Sequence, residues 1–211
     1  MAVITISRQY GSGGRDVARL LCERLGYRYF DRTLMAQLGA ELGVAPEQIV
    51  DLAEHRHQVQ GLLERVFAAA IDPFGDPSAW TLPAQREAQQ RTSAQTFQNL
   101  VLAAHERGDV VLMGRGGQMA LRGAPDVLHV RLVAPVEQRV RRVQWREGLD
   151  IEDARARIAE RDEAALDYVQ HYYDADVDDP LLYDLVLNMH TLTPAGAADL
   201  IVAALVHAQA R

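Results

Sequence analysis

Residues 6–16 read Ile6-Ser7-Arg8-Gln9-Tyr10-Gly11-Ser12-Gly13-Gly14-Arg15-Asp16. Three glycines in four positions allow main-chain N–H groups to converge and approach an anion closely. A helix starting near Gly14 adds unpaired N–H donors and the positive end of its dipole. A polyphosphate is the guest that suits such a loop. The strict pattern G-x-x-x-x-G-K-[ST] does not occur in the chain. With Gly13 as its second glycine, the first glycine falls on Arg8, the lysine on Gly14 and the Ser/Thr on Arg15. A ligand-free strand-to-helix turn is the competing reading; the loop's place directly after the first buried-type strand favours phosphate.

Any side-chain cation for an oxyanion must be arginine or histidine, because all 22 basic residues are arginine and none is lysine. Arginine brings a flat, permanently charged fork where lysine brings a point charge. Arg8 and Arg15 flank the loop. Arg115 follows a short apolar strand, at the carboxyl edge where open α/β sheets bind ligands. On a helix from about 135 to 147, Val136, Val140 and Val143 share one face. Arg139, Arg142 and Arg146 form a second stripe about 90° round, which either overlooks a cleft or makes ordinary i,i+4 pairs. Asp174, Asp176 and Asp178 alternate as in a calcium loop, but Asp179 and Leu185 stand where an EF-hand needs Gly and Glu. A solvated acidic loop is the expectation there. His55 and His57, two apart, do not share a helix face, which argues against a zinc pair. His171 with Tyr168, Tyr172 and Tyr173 either stacks on a base or packs locally. Cys22, Trp80 and Trp145 read as packing residues.

These groups need elements to position them. Val3 to Ile6 is a β-branched run, and Val17, Leu20, Leu21 and Leu25 fall on one face of a helix from Gly14 to Leu25, stopped by Gly26. Tyr27 to Phe30 reads as a brief strand, with Asp31 as the next N-cap. Residues 32–70 read as two helices broken near Gly43 to Pro46, 71–83 as a loop and 84–107 as a long helix. Further strands are expected at Asp109 to Met113, Val127 to Val133 and Tyr183 to Asn188. Helices are expected from 135 to Glu147, from Asp150 to about Tyr168 and from Pro194, with an acidic loop at 169–182. Strands alternating with helices predict parallel pairing within one α/β domain over 1–211.

Composition narrows the function. A formal charge of −7 argues against a general nucleic-acid or anionic-membrane binder. No apolar run approaches the ~20 residues of a membrane span, and Met1-Ala2-Val3 lacks the basic start of a signal peptide. The single cysteine excludes an internal disulfide and suits a reducing compartment. Cytoplasm is the expected location. Charge is also uneven: residues 150–184 hold twelve acidic groups and three arginines.

The opening from Val3 to Asp16, Leu25-Gly-Tyr-Arg-Tyr-Phe-Asp31, Met113-Gly114-Arg115-Gly116 and Tyr183-Asp-Leu-Val-Leu-Asn188 together resemble the cytidylate kinase-like family, a branch of the P-loop nucleoside monophosphate kinases. The resemblance implies a three-layer α/β/α fold with a parallel sheet of about five strands. It also implies a helical acceptor-side insertion at about 32–107 and a lid at about 150–182. ATP is the implied donor, with Mg²⁺, and the implied partner is a small phosphate acceptor. Gly11, Ser12, Gly13, Gly14, Arg15, Asp16, Arg139 and Arg142 become the nucleotide-binding candidates. Arg15, Arg115 and Arg161 become the catalytic ones: Arg15 for the missing loop lysine, Arg115 on the acceptor phosphate, Arg161 in the lid. The chain departs from authentic cytidylate kinases in several places. The metal-ligating hydroxyl is absent at position 15, with Ser12 and Asp16 as stand-ins. Gly116 stands where a carboxylate reads cytosine, Gln37 replaces an arginine, and the lid is reduced to Arg161-Asp162-Glu163-Ala164-Ala165. Cytosine specificity is therefore not implied. A nucleotide-binding protein without catalysis and a kinase for a non-nucleotide acceptor are the alternatives.

Overall fold

A strand covered on both faces has to be largely apolar along its length, and the first strand meets that condition over Val3, Ile4 and Ile6, with Thr5 the one polar residue among them. The computed structural model describes residues 2–44 and 81–208, without the side chains of residues 32 and 81–93. In chain order the elements are β1 (Val3–Arg8), α1 (Gly14–Leu25), β2 (Arg28–Tyr29), α2 (Arg32–Glu41), α3 (Thr81–Arg107), β3 (Val110–Met113), α4 (Gly117–Ala120), β4 (Val127–Val133), α5 (Val136–Glu147), α6 (Ile151–Tyr173), β5 (Leu185–Asn188) and α7 (Pro194–Ala208). The five strands form one parallel sheet in the order β2-β3-β1-β4-β5. Val3 lies opposite both Val110 and Val127, and Arg8 opposite Leu132. The neighbours of β1 lie to either side of it, so the crevice at its carboxyl end is where a ligand is expected.

Helices cover both faces, giving three layers. On one side α1 and α7 pack on the sheet and on each other, burying Ile4, Ile6, Val17, Leu21, Leu132 and Ile201. On the other, α2 and α3 bury Phe30, Leu34, Leu38, Leu100, Leu112 and Leu121. A smaller cluster of Val140, Val143, Ala154 and Ile158 joins α5 to α6. Asp31 caps α2, accepting from the Leu34 N–H at 2.9 Å, and Asp150 caps α6, accepting from the Asp153 N–H at 2.8 Å. Each cap satisfies an N–H that the helix itself leaves unpaired.

Several expectations need correction. α6 continues past Tyr168 to Tyr173, because Val169 is buried and the rings of Tyr168 and Tyr172 pack against each other, tilted by 52° with centroids 4.8 Å apart, which stabilises the extra turn. β1 runs beyond Ile6 to Arg8 and so delivers Ser7 and Arg8 to the carboxyl edge. Residues 81–83 are helical rather than loop; Pro83 is tolerated in a first turn, where its missing N–H has no helical acceptor to lose. On α5 the buried stripe is Arg139, Val140 and Val143, while Val136 turns outward. Trp145 does not pack: it is 90% exposed on the solvent side of α5. The helix expected beyond residue 44, the loop at 71–80, His55, His57 and Trp80 lie outside the described residues. Among the described residues no three metal-ligating side chains cluster, and no helix is long and apolar enough to cross a membrane.

His129 on β4 sits beside the central strand, its Nδ1 2.7 Å from Thr5 Oγ1, and its main-chain N–H donates to Asp184 at 2.7 Å. Burial pushes its pKa below the ordinary 6.5, against a smaller opposing pull from Asp184. The unfolded chain then binds this proton more readily than the folded one, so stability falls as pH drops below about 6.5. Thermal melts of wild type and His129→Gln across this range should show a steeper acid-side loss in wild type. Parallel curves would remove the assignment.

Candidate active site

The phosphate-type loop is fixed at both ends by sheet and helix. At its start the Gln9 N–H donates to Leu132 O at 3.1 Å, and Gln9 Oε1 accepts from the Ala134 N–H at 3.0 Å. Gly11 is pressed on α5: a Cβ there would lie 3.0 Å from Arg139 O and from Val143 Cγ2. Gly13 has φ 94 as the N-cap of α1, a conformation glycine adopts without the Cβ penalty. Ser12 is buried, and its Oγ has no hydrogen-bond partner among the described residues. The loop encloses a cup of about 30 Å³, with Ser12, Gly13, Gly14, Arg8 and Arg15 on its wall.

A cleft of about 490 Å³ lies beside it, at the carboxyl edge of β1 and β3 and under α6. Arg8, Arg15, Arg115, Arg131 and Arg161 line it. Their environments differ sharply. Arg131, inside β4, is 5% exposed; it donates to Ser7 Oγ at 2.7 Å, pairs with Asp178 and stands 5.7 Å over the Tyr183 ring. Its charge is answered internally. Arg115 lies just past β3 with φ 55, its guanidinium 5.2 Å over the Phe97 ring. Both its Nη atoms are buried and without a hydrogen-bond partner among the described residues. Burial lowers its pKa to about 10, with Tyr168 opposing the shift, so it remains a full cation at neutral pH. A desolvated cation with no counter-charge carries a penalty that a bound anion relieves. Arg15 and Asp16 are exposed on the first turn of α1, and Arg15 borders both cup and cleft. Arg161 stands on the α6 wall.

Arg139 is placed differently from the stripe drawn on the sequence. Its side chain points inward, Nε donating to Ala134 O at 3.1 Å and Nη1 to Tyr10 O at 3.3 Å and to Asp162 at 2.5 Å. The other Asp162 oxygen accepts from the Tyr10 N–H at 2.7 Å. Arg139 and Asp162 therefore clamp both main-chain polar groups of Tyr10, tying the loop to α5 and α6. The Tyr10 hydroxyl donates to Glu147 at 2.6 Å, and Arg146 lies 5.1 Å over its ring. Arg142 donates from Nη2 to Met189 O at 3.2 Å, while its buried Nη1 has no partner among the described residues and lies on the Gly13 side of the loop. A Cβ at Gly116 would meet Tyr173 Cε2 at 2.6 Å and Tyr168 Cε1 at 3.4 Å. Two tyrosine rings thus fill the place of the carboxylate missing there.

Sequence reading misses Arg131, Asp162 and Phe97 as members of this site. An arginine within the otherwise apolar run Val127 to Val133 is a signal for the first. Nothing in spacing links Asp162 to Arg139.

The chain and its fold have counterparts among known proteins. A model of the cytidylate kinase-like family matches residues 3–191. The chain belongs to the cytidylate kinase-like family. A protein named cytidylate kinase from Methanopyrus kandleri is 31% identical over 195 residues, covering 88% of this chain and 83% of that one. One of the same name from Thermococcus sibiricus is 28% identical over 206 residues, covering 97% and 88%. Among solved structures, an uncharacterized protein from Eubacterium ventriosum superposes with a TM-score of 0.67 at 19% identity, covering 98% and 99% of the two chains. A gluconokinase from Sinorhizobium meliloti superposes with a TM-score of 0.52 at 16% identity, covering 98% and 92%. These likenesses show the α/β fold of P-loop kinases that the family resemblance implies.

The Tyr10 clamp gives this cytidylate kinase-like protein a testable weak point. Asp162→Ala leaves the Arg139 charge and the Tyr10 N–H unanswered. With the Asp162 side chain 25% exposed, the expected loss is about 2 kcal/mol, below the range for a fully buried pair. Urea unfolding of wild type and variant measures it; a difference under about 0.5 kcal/mol contradicts the clamp.

Proposed function

We propose that the protein transfers the γ-phosphoryl group of ATP to a nucleoside monophosphate. The observation that carries this reading is Arg115, a buried cation with no hydrogen-bond partner among the described residues, lining a cleft that adjoins a glycine-rich anion cup. The relatives named cytidylate kinase support the same class of reaction. In this reading the chain acts as one domain, with 32–107 on the acceptor side and 150–182 as the lid. The bond from the γ-phosphorus to its bridging oxygen breaks as a bond forms to a phosphate oxygen of the acceptor. ADP and a nucleoside diphosphate leave.

Phosphoryl transfer asks the protein mainly for positioning and for positive charge around the transferred group. The amides of Gly11 to Gly14 hold the donor phosphates, Arg142 flanks the loop, and Arg115 holds the acceptor phosphate. Arg15 and Arg161 stand at the cleft to meet charge on the moving group. Arg139 contributes by fixing Tyr10 rather than by touching phosphate. Ser12 Oγ, without a hydrogen-bond partner among the described residues, and Asp16 on the first turn of α1 are the oxygens of this chain that would hold a magnesium ion brought by the donor, which would further neutralise the phosphates. With tyrosine rings rather than a carboxylate against Gly116, the acceptor preference is not tied to cytosine.

A coupled ADP-release assay with ATP, magnesium and a panel of nucleoside monophosphates tests the proposal. Acceptor-dependent release is expected with at least one of them. Arg115→Met should lower kcat/KM for that acceptor on the order of 10²–10³-fold. Its melting temperature should hold or rise, since a buried unpaired charge has gone. No stimulation by any acceptor, or an Arg115→Met enzyme as active as wild type, refutes it.

A further inference from the structure

The strict phosphate-loop pattern has a glycine at the position of Arg8 and a lysine at that of Gly14; this chain has the reverse. The geometry makes the two differences one. A Cβ built on Gly14 would lie 2.6 Å from Arg8 Cδ and 3.6 Å from Arg8 Cβ. The stem of Arg8 therefore lies across Gly14, in the space that any side chain at position 14 would enter. Its Nη1 continues to within 3.0 Å of where a Cβ on Gly114 would stand. The side chain thus spans from the end of β1, over the first residue of α1, to the residue following β3, and it walls both the cup and the cleft. No carboxylate pairs with Arg8 among the described residues. Its charged neighbours include two more arginines, Arg15 and Arg146, and burial holds its pKa below the ordinary value. A half-buried cation beside other cations, with no carboxylate of its own among the described residues, favours an anion there.

We infer that Arg8 is the loop cation of this protein, delivering from β1 the positive charge that a lysine at position 14 would deliver from α1, and that position 14 is glycine to leave room for it. This rests on the phosphotransfer reading above. It assigns the lysine's work to Arg8 rather than to the exposed Arg15. Guanidinium geometry suits the position: a flat fork reaches two phosphate oxygens together, where an ammonium meets the phosphates as a point charge.

The test uses the full chain with ATP as probe, calorimetry for affinity and ADP release for turnover, alongside melting curves. Arg8→Gly should weaken ATP binding at least tenfold and lower kcat on the order of 10²-fold or more. Arg15→Ala should cost less than Arg8→Gly on both measures. The exchange Arg8→Gly with Gly14→Lys should recover at least tenfold of what Arg8→Gly loses, a recovery that a purely structural role for Arg8 would not give. Gly14→Ala alone should weaken ATP binding by displacing the Arg8 stem, and should add nothing in an Arg8→Ala background. If Arg8→Gly fails to fold, Gly14→Ala and the exchange variant carry the same test. ATP affinity and kcat within twofold of wild type in Arg8→Gly or in Gly14→Ala overturn the inference while leaving the phosphotransfer reading intact. Wild type that neither binds ATP nor releases ADP overturns both.

Discussion

A guanidinium held away from water has to be answered by negative charge, and the carboxyl edge of this sheet is organised around which arginines are answered from within. Arg131 has Asp178 and Ser7, and Arg139 has Asp162. Both acidic partners come from the strongly negative stretch between residues 150 and 184, which folds back over an edge otherwise rich in arginine. Arg8 and Arg115 receive no such partner among the described residues. The protein thus neutralises the cations that hold its frame and leaves Arg8 and Arg115 without a carboxylate among the described residues. Desolvation makes that division consequential: a charge unpaired in water is ordinary, whereas one unpaired under a helix is an affinity in reserve.

The same division explains how the loop is kept in shape without lysine. Backbone amides alone make a weak cup unless the chain carrying them is immobilised. Here Tyr10 is gripped through its N–H, its carbonyl and its hydroxyl, by Asp162, Arg139 and Glu147 in turn. Those three residues come from α5 and α6, so loop geometry and the position of α6 are coupled. The helix that walls the cleft thus also fixes the glycine-rich loop beside it.

Much of the scaffold is legible from local pattern. Apolar runs at Val3 to Ile6, Val110 to Met113 and Val127 to Val133 announce buried parallel strands, and Asp31 and Asp150 announce helix starts by the chemistry of their side chains. Local pattern errs where packing outweighs it. The extra turn of α6 rests on the tilted contact of the Tyr168 and Tyr172 rings, and Pro83 looks like a loop signal although it falls in a first turn. The arginine stripe on α5 fails for a related reason. Helical periodicity puts Arg139 only about 60° round from Val136, so which of the two is buried depends on α6 and on Asp162.

The order of residues by itself determined the chemistry on offer: a glycine-rich anion loop after the first strand, arginine as the cation, and a family whose fold follows from its strand–loop–helix opening. Those are properties of neighbouring residues, governed by backbone conformation and side-chain type. The fates of individual arginines were decided only in three dimensions. Arg8, Arg115, Arg131 and Arg139 are the same residue type, and what separates a structural clamp from a partnerless cation is burial and the distance to a carboxylate far away in the chain. Desolvation and Coulomb attraction act through space, so the sequence names the participants and the tertiary fold assigns their roles.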